Sequence, residues 1–268
     1  MTVIVLLGFT VGIILALTGA GGGILAVPLL VFGAGLSMAQ AGPIGLLAVG
    51  LAAALGAVMG LKNGTVRYKA AMLIAGAGII CSPFGLWLAQ RSPNRPLAIL
   101  FSLVLLYVSL RVYLRATAGP ADTADTAGKA QRMPPCQLDA RRGKLHWTAP
   151  CARALALAGV LAGVLSGLLG VGGGFVMVPA LQRYTDLTMQ SIVATSLAVI
   201  ALVSLAGVVA STASGHLQWA IALPFALGSL AGMTGGRMLA SRLPAQQLQK
   251  TFAIVSTVAA LALFIKAI

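Results

Sequence analysis

The chain has 268 residues, of which 59% are hydrophobic and only 8% charged, and its mean hydropathy is +1.00. A soluble domain carries about 25% charged residues, so this set cannot cover a water-exposed surface; it describes an all-α polytopic membrane protein. The net charge of +14 invites a nucleic-acid reading. However, the basic residues fall in short loops and one linker, as the positive-inside rule expects, without a basic stripe interleaved with aromatics, and no nucleic-acid partner is expected.

In chain order, Met1–Leu7 lacks a basic n-region and does not read as a cleaved signal peptide. It leads into Thr2–Leu17, which is short beside the roughly 20 apolar residues a spanning helix needs. The glycine run Gly19–Gly23 follows, then another short apolar piece, Ile24–Phe32. Two short helices joined by a Gly-rich turn predict a re-entrant hairpin, which is tolerated at membrane depth only where protein or a watery cavity satisfies its backbone. Full-length helices are expected over about 40–61, 69–89 and 96–114. Residues 116–150 form a polar linker, read as solvated and poorly ordered, with Asp122, Asp125, Asp139, Lys129, Arg132, Arg141, Arg142, Lys144 and Pro134-Pro135. Beyond it the pattern recurs at about 152–169, 175–182, 188–211, 218–241 and 245–266.

The recurrence is also in the letters. Shifted by 151 positions, Gly19-Ala20-Gly21-Gly22-Gly23 falls on Gly170-Val171-Gly172-Gly173-Gly174, Val27-Pro28 on Val178-Pro179, and Leu36-Ser37-Met38 on Leu187-Thr188-Met189. The chain therefore divides into a first membrane repeat (1–115), the linker (116–150) and a second repeat (151–268). Charge orients them. Lys62, Arg67 and Lys69 follow the first long helix of repeat one, whereas the matching Ala213–Gln218 loop has no Lys or Arg and charge appears instead at Arg237, Arg242 and Lys250. The rule then predicts two inverted repeats, each a re-entrant Gly-rich hairpin plus about three transmembrane helices. The linker would be cytoplasmic and both termini periplasmic; Arg91 and Arg95 run against this assignment.

The glycine turns carry the chemistry. Glycine accepts positive φ and leaves its N–H unobstructed, so consecutive N–H groups can form a concave nest for an anion. The helix that follows adds its free N–H groups and positive dipole end. Pro28 and Pro179 are expected in the first turns of those helices, where a missing N–H matters little. The candidate anion ligands are Gly19, Gly21, Gly22 and Gly23 with Gly170, Gly172, Gly173 and Gly174. Thr18, Ser166, Thr195 and Ser196 are side-chain additions, and Ser204 is a further hydroxyl on a long helix. The competing reading is that the glycines only let helices approach closely; duplication of glycines and proline at one shift favours a site.

Absences narrow the class further. There is no glutamate, and the only aspartate outside the linker is Asp186. This disfavours a cation pump or proton relay and a membrane hydrolase needing acid–base or metal groups; no cofactor or metal is expected. His146 and His216 fall in the linker and a loop. Three cysteines, with no zinc spacing and a reducing compartment, argue against structural disulfides. Cys81 reads as a small buried hydrophobe, with a soft substrate contact second. Arg237 reads as a snorkelling residue first and a pathway charge second.

The run Leu168-Leu169-Gly170-Val171-Gly172-Gly173-Gly174-Phe175-Val176-Met177-Val178-Pro179-Ala180-Leu181, its copy Gly19–Leu30, the Ala194-Thr195-Ser196-Leu197 stretch and the central polar linker resemble the TauE/SafE (TSUP) family of bacterial membrane permeases. The resemblance covers nearly the whole chain outside the linker. It implies a multi-pass transporter of the bacterial inner membrane, without enzymatic activity, that exports sulfur-containing anions such as sulfite, sulfoacetate or other organosulfonates. Repeat one departs from the pattern, with Ile44-Gly45 where repeat two has Thr195-Ser196, so the half-sites are unequal. The alternatives are a membrane enzyme or assembly factor handling a sulfur compound, and a passive anion channel. A coupling ion (H+ or Na+) and a homodimer are left open.

Overall fold

Apolar runs punctuated by glycine, proline and short polar loops form ten helices in the computed structural model, which describes residues 1–18, 22–117, 136, 138–139, 144–145, 148–215, 217–240 and 245–267. They are α1 (Thr2–Thr18), α2 (Gly22–Gly33), α3 (Met38–Lys62), α4 (Tyr68–Arg91), α5 (Asn94–Thr117), α6 (Ala149–Leu169), α7 (Gly174–Tyr184), α8 (Met189–Ala213), α9 (Trp219–Ala240) and α10 (Ala245–Ala267). Six contain windows long and apolar enough to cross a membrane: α3, α4, α5, α6, α8 and α9. Large apolar side chains such as Ile80, Phe84, Leu103, Leu161, Leu205, Leu227 and Val258 are exposed on the outside, which suits a surface solvated by lipid. Arg91 stacks on Trp87 at 4.4 Å, Arg111 on Tyr107 at 5.4 Å and Lys266 on Phe32 at 5.3 Å, the aromatic and snorkelling pairs that mark membrane interfaces.

Helix limits follow from local chemistry. Ser37 starts α3 with a capping box, its hydroxyl accepting the Gln40 N–H while the Gln40 side chain accepts the Ser37 N–H. Thr188 caps α8 with its hydroxyl alone, which accepts the Ser191 N–H. Gly64 and Gly215, at φ +65° and +69°, follow the ends of α3 and α8. These starts and stops, like the helix ranges, recur at the 151-residue shift.

The helices pair across the two halves of the chain. On α3 and α8, Gly50 lies against Ser204, Gly56 against Leu197 and Gly60 against Ala194, so these two central helices run antiparallel. On α4 and α6, Ile74 faces Gly159, Gly78 faces Gly163 and Ser82 faces Gly167; on α1 and α9, Gly8 faces Phe225 and Gly12 faces Ser229. Both of these pairs run parallel, with backbones brought together by glycine every fourth residue, the small-residue packing that associates helices in lipid. Ser109 donates to the Ala253 carbonyl at 2.6 Å between α5 and α10, and Ser229 donates to the Ala48 carbonyl at 3.0 Å between α9 and α3.

Two expectations are corrected. Pro28 and Pro179 are not in first turns: α2 begins at Gly22 and α7 at Gly174, because the last glycines are themselves helical. Each proline therefore removes an interior N–H and leaves the carbonyl four residues earlier, on Ile24 and on Phe175, without its helical donor. The second correction concerns cysteine. Cys136 and Cys151 form a disulfide with a Cα–Cα distance of 5.0 Å. Separation along the chain says nothing about this approach. The linker doubles back through a short antiparallel pair, β1 (Leu138–Asp139) and β2 (Lys144–Leu145), and the Cys136 N–H donates to the Tyr184 carbonyl at the end of α7 at 3.2 Å. Most of the linker, with His146, lies outside the described residues, as does His216. Cys81 is free and half-buried on α4. Blocking thiols in the denatured protein before and after reduction should find one free thiol, Cys81, then two more released by reductant; three at the outset would show that the pair is a dithiol.

Candidate functional site

The second glycine turn is defined by backbone. Gly170 ends α6 in the left-handed region, its N–H donating to the Ser166 carbonyl at 2.9 Å. Gly172 and Gly173 also have positive φ, +75° and +68°. Gly173 is the N-cap of α7 and supplies no side-chain cap, so the first N–H groups of α7, on Gly174 and Phe175, have no intrahelical acceptor and lie at the positive end of the helix dipole. All of this is buried. In the first turn, Gly22 and Gly23 are buried at the start of α2; Gly19, Gly21 and the Thr18 side chain lie outside the described residues.

Gly23 and Gly172, one from each glycine run, meet at Val49. A Cβ added at Gly23 would lie 2.6 Å from the Val171 carbonyl oxygen and 3.2 Å from Val49 Cγ1. One added at Gly172 would lie 3.0 Å from Ile200 Cγ2, 3.1 Å from Ser204 Oγ and 3.4 Å from Val49 Cγ1. Val49 and Ile200 are at mid-height on α3 and α8, the two longest helices, and correspond to each other at the 151-residue shift. The glycines therefore also serve close packing: Gly170 touches the backbone of Gly42, Gly22 that of Leu15 and Gly173 that of Ala162. The crevice beside the turns is apolar, lined by Ile24, Phe101, Val104, Leu105, Leu169, Val171 and Phe175.

The hydroxyls divide. Thr195 is fully buried, and its hydroxyl accepts the Arg67 N–H at 3.1 Å; it pins the α3–α4 loop, about 13 Å along α8 from Ser204 at 1.5 Å per residue. Ser166 is on the α6 face that meets the turn, one helical turn beyond Ala162, the residue against Gly173. Ser204 faces Gly172. Sequence reasoning missed Ser82 on α4, whose hydroxyl lies 3.4 Å from where a Cβ on Gly207 of α8 would be; its counterpart at the repeat shift is Met233, so self-comparison could not flag it. Arg237 is half-buried on α9, a guanidinium nitrogen 3.8 Å from a Cβ placed on Gly56. The helices contain no Asp or Glu, and among the described residues no cluster of His, Cys, Asp or Glu could hold a metal ion.

Comparison with known proteins decides the family. Residues 4–263 match the family model described as "Sulfite exporter TauE/SafE". The chain belongs to the TauE/SafE family. It is 27% identical over 249 residues to the "Probable membrane transporter protein YunE" of Bacillus subtilis (strain 168), covering 86% of this chain and 85% of that protein. It is 28% identical over 258 residues to a "Probable membrane transporter protein" of Xylella fastidiosa (strain Temecula1 / ATCC 700964), covering 92% and 88%. No solved structure matches the chain. Family membership makes this a multi-pass membrane protein of a transporter family, and the family description is that of a carrier rather than an enzyme.

Proposed function

We propose that this TauE/SafE member exports small sulfur-containing oxyanions, such as sulfite, sulfoacetate or another organosulfonate, across the bacterial inner membrane. In this reading the anion is held at mid-membrane between the Gly19–Gly23 and Gly170–Gly174 turns, and 1–115 and 151–268 are two inverted copies. The carrying observation is that Gly23 and Gly172, one from each glycine run, both pack on Val49, halfway along the antiparallel α3 and α8. An anion at that depth must replace its water with protein donors. The helices there offer backbone N–H groups and hydroxyls but no lysine or arginine, and donors without full charge let an ion leave as well as bind. Antiparallel α3 and α8, with helix limits recurring at one shift, support inverted repeats. The Lys62–Lys69 loop, the linker and the Arg242 region would share the cytoplasmic side by charge. The Cys136–Cys151 disulfide runs against that side, since the pair would then face a reducing compartment.

The test is transport by purified protein in liposomes. Saturable, protein-dependent movement of radiolabelled sulfite or sulfoacetate, competed by the other anion, is expected. Ion currents without saturation would support a passive channel. Chemical turnover of the anion in detergent, without vesicles, would overturn the transporter reading.

A further inference from the structure

We infer that the anion is handled on one side of the pseudo-symmetric core, along a lane of hydroxyls formed by Ser82, Ser166, Ser196 and Ser204; this rests on the glycine-turn reading above. The four hydroxyls are buried, at 0% exposure each, and have no hydrogen-bond partner among the described residues. That is unusual for helical serine, which ordinarily donates to the carbonyl four residues earlier. The neighbouring Ser211 does so, donating to the Gly207 carbonyl at 2.7 Å. A buried hydroxyl left without a partner is destabilising, so four in one region need a reason, and intermittent occupation by a ligand that accepts hydrogen bonds supplies it.

Their placement is that of a path. Ser196, Ile200 and Ser204 form one ridge of α8, with Ile200 and Ser204 against Gly172. One turn further along α8, Gly207 meets Ser82 of α4. Ser166 shares the α6 face of Ala162, which packs on Gly173. From Ser196 to Gly207 the lane runs about 16 Å along the helix, roughly half of the hydrocarbon thickness, and the second glycine turn lies within it. A fifth such hydroxyl, Ser256, is on α10, which packs on α5.

The other side has no such lane. At the 151-residue shift Ser166 corresponds to Leu15, Ser196 to Gly45, Ser204 to Ala53 and Ser82 to Met233, and Leu15, Ala53 and Met233 are buried and apolar. The ligand chemistry that fits is a small, largely dehydrated oxyanion with several acceptor oxygens, met by neutral O–H and N–H donors. Repeat two supplies Ser166, Ser196 and Ser204 with the backbone of the second glycine turn, and α4 supplies Ser82.

The experiment measures anion-induced thermal shifts and apparent affinities on purified full-length protein, with sulfite, sulfate, sulfoacetate and taurine as probes. Ser82→Ala, Ser166→Ala and Ser204→Ala should each weaken the best anion by about tenfold or more, while the melting temperature without anion stays level or rises, because each removes a buried donor with no partner. Ser211→Ala, whose hydroxyl is already bonded, should leave affinity unchanged. Ser204→Cys, nearly isosteric and a far weaker donor, replaces the alanine variant if that does not yield folded protein. Wild-type affinity in all the serine variants, with the shift lost in Gly172→Ala, overturns the lane and leaves the glycine-turn site standing. An unchanged shift in Gly172→Ala as well, or no stabilisation of the wild type by any probe, overturns both.

Discussion

Gly167→Leu is expected to abolish recovery of folded protein, and Gly163→Leu and Gly232→Leu to do nearly the same. A Cβ on Gly167 would lie 2.1 Å from the Ser82 carbonyl oxygen and 2.7 Å from the Leu86 N; on Gly163, 2.4 Å from the Gly78 carbonyl oxygen; on Gly232, 2.1 Å from the Phe9 carbonyl oxygen. These obstacles are backbone, and no rotamer change removes them. The only relief is to separate α4 from α6, or α1 from α9, along a contact that runs several turns. Ordinary overpacking is destabilising by roughly 1–3 kcal/mol, and a forced helix separation in lipid falls at or beyond the top of that range, since close approach is what associates these helices. Gly76→Leu on α4 and Gly235→Leu on α9 are the matched controls, because a Cβ at either position meets nothing within 4 Å. Size-exclusion profiles of the detergent-extracted variants check this. A monodisperse, wild-type-like peak for Gly167→Leu would show that the α4–α6 crossing is looser than the structure describes.

What could be read from the letters depended on whether the chemistry was local. Apolar run length placed the long helices to within a few residues of their ends. Positive φ at Gly170, Gly172 and Gly173 follows from what glycine alone tolerates, and a self-comparison suggested that both turns belong together. The Cys136–Cys151 bond was illegible because it depends on how the linker folds back to the end of α7. Pro28 and Pro179 were misplaced because the helices begin at the last glycines rather than after them. Thr195 looked like a pathway hydroxyl, yet the Arg67 N–H reaches it across 128 positions of chain. Ser82 was invisible for the opposite reason. Its hydroxyl has no partner among the described residues and lies next to Gly207, and nothing in a serine before Pro83 announces that.

Those geometries change which substitution probes the glycine site. Gly173→Val would seem the direct block, but its Cβ would lie 2.6 Å from the Ala162 carbonyl oxygen at φ +68°; a β-branched residue there should disrupt folding before it reports on binding. Gly172→Ala is the better instrument and is expected to lower anion transport in liposomes at least tenfold while the protein stays folded. The alanine Cβ would meet only side-chain atoms, Ile200 Cγ2 at 3.0 Å, Ser204 Oγ at 3.1 Å and Val49 Cγ1 at 3.4 Å, which can give by tenths of an ångström. The backbone, at φ +75°, adds about 1–2 kcal/mol of left-handed strain, visible as a lower melting temperature. The methyl group would occupy the space between the turn and Ser204 where an oxyanion would accept its bonds. Strain and blockage are separable, because Gly64 and Gly215 have the same sign of φ, +65° and +69°, with nothing within 4 Å. Gly64→Ala and Gly215→Ala should therefore lower the melting temperature by a similar amount and transport at the wild-type rate. Equal loss of transport in all three would assign the effect to backbone strain and remove Gly172 from the site; loss in Gly172→Ala alone places the anion against the second glycine turn.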